Sequence, residues 1–146
     1  MRFMIIVHAT PETEQGTTGT EQQFADMQAY NEEMLRAGVF VDGQGLHPTA
    51  KGAHVSFENG EWVVTDGPFA ESKELVAGFT IIDVSSREEA IEWLRKWPVS
   101  CAPAPGQALE LRQVLAAEDF GDAYTPELRE REEQMRADAA RAAARG

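Results

Sequence analysis

Residues 65–74 read TDGPFAESKE and join two runs of residues that have the composition of β-strands. The pair Gly67-Pro68 is typical of a rigid turn. The stretch also holds four charged side chains: Asp66, Glu71, Lys73 and Glu74. Loops carry binding and catalytic residues more often than the scaffold that supports them. This stretch, which we call the Gly-Pro corner, is therefore either the rim of a pocket or a solvent-exposed turn.

The length and charge of the chain limit its function. The chain has 146 residues and a formal net charge of −12. This length predicts one compact domain with a tail. Proteins neutralise the phosphates of nucleic acids with clustered Lys and Arg, so this composition argues against a nucleic-acid partner. An acidic surface would instead suit a basic protein partner.

Other features of the sequence predict the cellular setting. Cys101 is the only cysteine, which excludes a disulfide within the chain. The apolar run at residues 3–7 has no basic region before it, and no stretch approaches the roughly 20 apolar residues of a membrane-spanning helix. No cluster of His, Cys or carboxylate residues has the spacing of metal ligands. We therefore expect a cytoplasmic protein that has no membrane segment, metal or cofactor.

The apolar periodicity predicts the element order β, α, β, hairpin, β, α, β. Strands are predicted at residues 3–9, 39–42, 53–57, 61–65, 77–84 and 108–114, and helices at residues 20–37, 86–97 and from 125 onward. Thr20 with Gln23, and Ser86 with Glu89, have the spacing of capping boxes. Asn59-Gly60 is a strong hairpin signal. Residues 11–19 are predicted to form a loop.

This order is that of an α+β fold of the ferredoxin-like kind, in which an inserted hairpin accompanies a mostly antiparallel sheet covered by two helices. Both faces of the predicted sheet are apolar, so we expect a homodimer in which two sheets pack face to face. The α+β domain is predicted at residues 1–116, followed by an acidic extension at 117–146. The helix of this extension is polar nearly all round, so it either frays or packs on another subunit.

Asn31 lies within an apolar stripe of the first predicted helix. The stripe consists of Phe24, Met27, Tyr30, Met34 and Leu35. An unpaired buried amide costs about 1–3 kcal/mol. Asn31 therefore either bonds to the local backbone or faces a wet pocket.

Histidine and arginine side chains supply the other candidates. His47 follows Leu46 in a Gly- and Pro-rich turn, and it is either simply exposed or a general acid or base. His54 alternates with Val55 and Phe57, which places it on the outer, polar face of its strand without a special role. His8 ends the first strand and could point at the pocket.

Arg112 has two interpretations on its predicted strand. It lies on the same face as Glu110, so an ion pair between them is the simplest interpretation. A guanidinium group is also the planar fork that a substrate carboxylate would need.

Six fragments in this order resemble the YCII-related proteins of the DGPF-domain type. They are YNEEM (30–34), GLHP (45–48), DGPFAESKE (66–74), AGF (77–79), ELRQV (110–114) and AEDFG (117–121). The resemblance runs from Met1 to about Met135. It implies a dimeric α+β barrel of the ferredoxin-like kind and a family in which most members have no assigned activity.

The resemblance also bears on chemistry. A His and Asp pair is thought to serve a few lyase-like members that eliminate chloride from small ring compounds. Those members place the His on the first helix, where this sequence has Asn31, and the Asp near the end of the second helix, where it has Trp97-Pro98. Asp66 and His47 match the DGPF-type pattern itself.

Two classes of function remain open. In the first, a pocket at the Gly-Pro corner binds a small acidic or cyclic molecule, and Asp66 or His47 acts as acid or base in an elimination or isomerisation. The candidate binding residues are Asn31, Phe69, Glu71, Lys73 and Arg112. In the second, the protein is a non-catalytic sensing or interaction module that acts with a bacterial alternative sigma factor or another protein partner.

Overall fold

The computed structural model of the chain describes residues 1–70 and 74–146. It divides into two compact units, residues 1–114 and residues 115–146. The first unit is a mixed α/β body, and the second carries a C-terminal helix.

Within the described residues, the first unit contains the following strands and α-helices in chain order. They are β1 Arg2–His8, α1 Pro11–Glu14, α2 Glu21–Arg36, β2 Phe40–Gly45, β3 Ala53–Glu58, β4 Glu61–Asp66, β5 Val76–Asp83, α3 Arg87–Arg95 and β6 Glu110–Gln113. Short 3-10 turns occur at Thr49–Lys51, Val99–Cys101 and, in the second unit, Ala117–Phe120. The second unit also contains α4, Pro126–Ala143.

The strands form two antiparallel sheets. The larger sheet has the order β2-β5-β1-β6, and β3 pairs only with β4 in a separate hairpin. The predicted α+β class, with an antiparallel sheet, an inserted hairpin and a C-terminal helix, is confirmed. The dimeric barrel stays a prediction.

The core lies between one face of the larger sheet and helices α2 and α3. In the pairing of β1 with β5, Phe3 is opposite Ile82. Ile5 is likewise opposite Thr80, so these side chains share a face. The buried core consists of Phe3, Ile5, Tyr30, Met34, Val39, Ile82, Val84, Ala90 and Trp93. Full burial of each large apolar side chain contributes about 1.5–3 kcal/mol, so this layer holds the first unit together.

The apolar stripe of α2 is narrower than the sequence predicts. Tyr30 and Met34 are buried, but Phe24 is 60 % exposed and Leu35 is 64 % exposed. Leu35 follows Met34 directly and is turned about 100° away from the sheet. Phe24, near the start of the helix, borders a cavity instead of core side chains. The prediction that these two residues belong to the packed face is therefore wrong.

The ends of the two main helices follow the predicted capping signals. The hydroxyl of Thr20 accepts a hydrogen bond from the backbone N–H of Gln23. Ser86 caps α3 through the N–H of Glu89. The carboxylate of Glu89, however, accepts from Ser85 rather than from the cap residue.

Helix α1 occupies part of the segment that is predicted to be a loop. Thr10 caps it by accepting a hydrogen bond from the N–H of Thr13 at 3.2 Å, and Pro11 is its first residue. A Thr N-cap followed by Pro is a helix start signal, and it suffices here for a single turn. The loop prediction is wrong for Pro11–Glu14.

The hairpin exposes an apolar face. Four cross-strand neighbours on this face are each more than half exposed: Val55, Phe57, Trp62 and Val64. Because β3 and β4 form a sheet of their own, the larger sheet does not cover them. We call these four residues the hairpin face.

The second unit is built around α4. The hydroxyl of Thr125 caps this helix through the N–H of Leu128, and none of the helix residues is buried. No helix in the described residues is long and apolar enough to cross a bilayer.

Tyr30 gives the core a pH dependence. Its hydroxyl donates to the carbonyl of Trp93 at 2.8 Å. Burial and, second, the carboxylate of Glu33 raise the pKa of Tyr30 to about 12. An unfolded tyrosine loses its proton near pH 10, so between pH 10 and 12 the unfolded state binds fewer protons and folding stability falls.

Replacing Tyr30 with Phe should remove both the hydrogen bond to Trp93 and the titrating hydroxyl. We expect Tyr30→Phe to lower the free energy of unfolding at pH 7 by about 1 kcal/mol, because a hydrogen bond is lost. Above pH 10 the variant should lose less stability than wild type. Urea unfolding at several pH values measures both effects, and equal alkaline losses in wild type and Tyr30→Phe would contradict the assignment.

Candidate functional site

The Gly-Pro corner is held by backbone and hydroxyl contacts. The N–H of Gly67 donates to the carbonyl of Gly52 at 2.9 Å. The N–H of Phe69 donates to the hydroxyl of Thr49 at 3.0 Å. A Cβ at position 67 would lie 1.7 Å from the carbonyl oxygen of Thr49, so only glycine fits there. The ring of Phe69 stacks on His54 with 3.5 Å between centroids.

Thr49 is fixed in turn by helix α1. Its hydroxyl donates to the carboxylate of Glu14 at 2.6 Å, and its N–H donates to the same carboxylate at 3.2 Å. One hydroxyl therefore donates to Glu14 and accepts from Phe69. Through this chain of hydrogen bonds, the corner is tied to the segment that follows β1.

The candidate acid and base lie near this corner but are not joined. Asp66 is the exposed last residue of β4, and His47 is exposed in the turn after β2. No hydrogen bond connects the two within the described residues. Glu71 and Lys73 lie outside the described residues. The acid–base role of Asp66 and His47 stays a prediction.

His54 is exposed on its strand, as predicted, and it also contacts the Gly-Pro corner. It packs flat against Phe69, with 10° between the two ring planes. This stack ties the hairpin to the Gly-Pro corner. The ring of His54 thus supports a candidate binding residue, and the prediction that His54 has no special role in function stays a prediction.

Asn31 borders a cavity of about 450 Å³ in the first unit, on the helix side of the sheet. Its Oδ1 atom is buried and has no hydrogen-bond partner within the described residues. The cavity lining comprises Val7, Gly19, Phe24, Met27, Asn31, Gly43, Gln44, Gly45, Ala77, Gly78, Phe79, Thr80, Trp97 and Cys101. We call it the Asn31 cavity. The structure thus places this amide at a pocket, in agreement with the second of its two interpretations.

The Asn31 cavity is mainly apolar and neutral. Phe24, Met27 and Trp97 supply most of its large side chains. Glycine keeps the strands beneath it close, since a Cβ on Gly78 would lie 2.9 Å from a backbone oxygen of β2. None of the described lining residues carries a formal charge. The cavity therefore offers apolar walls and a few hydrogen-bonding groups.

A second cavity lies at the end of β1. It has a volume of about 780 Å³. Its lining comprises His8, Thr10, Pro11, Glu12, Ala104, Pro105, Gly106, Gln107, Ala108, Leu109 and Glu110. We call it the His8 cavity. It shares no described lining residue with the Asn31 cavity.

His8 and Glu110 form a hydrogen-bonded pair in this wall, with 2.9 Å between Nε2 and Oε2. The hydrogen bond from His8 and, second, that from Arg112 lower the pKa of Glu110. The Nδ1 atom of His8 is buried without a partner in the described residues. No local signal in the sequence indicates this pair, because it depends on the register that brings the start of β6 beside the end of β1.

Arg112 forms the predicted ion pair with Glu110. Its Nη1 lies 3.3 Å from Oε1 of Glu110, and its side chain is 70 % exposed. The ion-pair interpretation therefore agrees with the structure. Its role with a substrate carboxylate stays a prediction. The described residues contain no group of three or more His, Cys, Asp or Glu that could hold a metal ion.

These features define a mixed α/β protein with an antiparallel sheet and two cavities in its first unit. The chain belongs to the YCII-related family, because the model of the YCII-related domain matches residues 1–116. The predicted resemblance to this family is thus confirmed. An uncharacterised protein of Rhizobium meliloti (strain 1021) is 37 % identical over 75 residues. The aligned part covers 51 % of this chain and 60 % of that protein.

Gly67 provides a direct test of the corner. We expect Gly67→Ala to lower the free energy of unfolding by about 1–3 kcal/mol, because the new methyl group overlaps the carbonyl of Thr49. Gly45→Ala is the matched control, since a Cβ there meets nothing within 4 Å. Urea denaturation measures both variants. Equal stability of the two would show that the corner does not depend on this close contact.

Proposed function

We propose that the protein binds a small, neutral, cyclic molecule with a hydrogen-bond donor in the Asn31 cavity. The observation that carries the proposal is the buried Oδ1 of Asn31 beside this cavity, which has no hydrogen-bond partner among the described residues. An unsatisfied buried acceptor costs about 1–3 kcal/mol, which a ligand donor would recover.

The size and walls of the cavity suit such a molecule. Small-molecule sites commonly have volumes of about 300–1,000 Å³ and apolar walls with a few polar groups. The Asn31 cavity, at about 450 Å³, fits this description. Phe24, Met27 and Trp97 would contact a ring. The absence of charged groups among its described lining residues favours a neutral ligand over an acidic one.

Catalysis would require further groups. An elimination or isomerisation would use Asp66 or His47 as acid or base at the Gly-Pro corner. Phe69, Glu71, Lys73 and Arg112 are the candidate binding residues for that substrate. None of them is among the described lining residues of the Asn31 cavity, so this reaction would use a separate substrate site. This part of the proposal rests on the resemblance of residues 66–74 to the DGPF-type pattern, whereas binding rests on Asn31.

Asn31→Leu separates binding from folding. We expect this variant to gain about 1 kcal/mol of stability without ligand, because it removes an unpaired polar atom. Phenol, which can donate to Asn31, should raise the melting temperature of wild type more than anisole, which cannot. Asn31→Leu should abolish this difference. Calorimetric titration and thermal unfolding provide the measurements.

Gln28→Leu is the matched control, because Gln28 is an exposed amide on the same helix. It should retain the preference for phenol. Equal responses to phenol and anisole in wild type, or a preference that survives Asn31→Leu, would overturn the assignment of Asn31 as the recognition group.

The hairpin face supports a second candidate function, as a protein-interaction module. A two-stranded hairpin is marginally stable by itself, and a contiguous exposed apolar face commonly marks an interaction site. Trp62 at its centre is 73 % exposed. The neighbouring Glu58 and Glu61 would suit a basic partner. That partner would be a bacterial alternative sigma factor or another protein, or a second copy of the chain in the expected homodimer.

Trp62→Ser tests this candidate. We expect the variant to weaken association at least tenfold, because aromatic anchors contribute much of the energy of protein interfaces. Val99→Ser is the control, since Val99 is 90 % exposed outside the hairpin. Sedimentation measures self-association, and calorimetry measures binding to a purified alternative sigma factor. Unchanged behaviour of Trp62→Ser in both assays would exclude the hairpin face as an interface.

A further inference from the structure

We propose that the His8 cavity is a separate binding site for a small organic amine, whose ammonium group lies between the carboxylates of Glu110 and Glu12. The proposal does not depend on binding in the Asn31 cavity. The observations that carry it are the charges, the hydrogen-bond capacity and the apolar surfaces that meet in this cavity.

Both carboxylates are ionised at neutral pH. Hydrogen bonds from His8 and then Arg112 lower the pKa of Glu110. Its own backbone N–H and then the hydroxyl of Thr10 lower the pKa of Glu12. The described lining residues include no Lys or Arg, and Arg112 lies outside the lining with a largely exposed side chain. The cavity wall is therefore negative.

The wall also has an excess of hydrogen-bond acceptors. An ionised Glu110 can only accept, so the hydrogen-bonded Nε2 of His8 carries a proton; in the neutral imidazole Nδ1 is then an acceptor. The Nε2 of Gln107 donates to the carbonyl of Ala9 at 3.2 Å, which leaves its Oε1 as an acceptor. A ligand with several N–H donors matches this wall better than one that only accepts.

The rest of the lining fits a hydrocarbon body. Pro11, Pro105 and Leu109 supply rigid or apolar surface. The volume of about 780 Å³ admits a six-membered ring with its amine group. The chemical class that combines donors, positive charge and an apolar ring is a cyclic or aryl-alkyl amine.

The position of the pair gives the site a defined geometry. His8 is the last residue of β1, and Glu110 is the first residue of β6, beside Ile6 in the ladder. One oxygen of Glu110 is bonded to His8 and the other to Arg112. Glu110 is held on both sides while its side chain remains 38 % exposed, so an ammonium group can reach it.

Cyclohexylamine is a suitable probe for this site. Cyclohexanol and cyclohexanecarboxylate provide neutral and anionic probes with the same ring. We expect calorimetry at physiological salt to detect binding of the amine only. Glu110→Gln should weaken this binding at least tenfold, and Glu12→Gln should weaken it in the same direction. Glu88→Gln, a change at an exposed carboxylate on α3, should leave it unchanged.

The variants distinguish a site from general attraction to an acidic protein. If the amine were attracted only by the net negative charge, it would still bind Glu110→Gln. Glu88→Gln, which removes the same charge elsewhere, would then weaken binding to the same small extent. Asn31→Leu should leave amine binding unchanged, so failure of the Asn31 cavity and failure of the His8 cavity are separable. Equal binding of cyclohexanol, undiminished binding in a folded Glu110→Gln, or no binding of the amine to wild type would each overturn the proposal.

Discussion

The antiparallel pairing of β1 with β5 is the constraint on which the rest of the first unit depends. Its register directs Phe3 and Ile5 toward the helices, where they build the core. The pairing shifts between Val7 and His8, where the ladder becomes irregular. Val7 borders the Asn31 cavity and His8 borders the other. Two adjacent residues of one strand thus line two separate cavities.

The elements with local signals could be predicted from the sequence. Thr20 and Ser86 were readable as caps because the groups they bind lie three residues away. The hairpin was readable from Asn59-Gly60. Alternation in its strands, however, reveals two faces and not which face the molecule covers. Val55 is exposed because the larger sheet does not cover the hairpin, which no pattern within the two strands indicates.

In the candidate site, too, residues with a local signal could be predicted from the sequence, and contacts between distant segments could not. Asn31 could be singled out because a polar residue in an apolar stripe is a local anomaly. His8 and Glu110 are 102 residues apart in the sequence, so no local pattern predicts that they form a pair. The hydroxyl of Thr49, which links Glu14 to Phe69, was missed for the same reason. Contacts between distant segments require the register of the sheet and the path of the loops.

The crowding at Gly67 changes how the Gly-Pro corner should be compared among relatives. The carbonyl of Thr49 occupies the space of any side chain at this position. A glycine retained there across evolution would record a steric requirement of the backbone and would say nothing about a reaction. Persistence of Asp66 beside it would be far more informative, because Asp66 is exposed at the end of its strand and makes no comparable demand on packing.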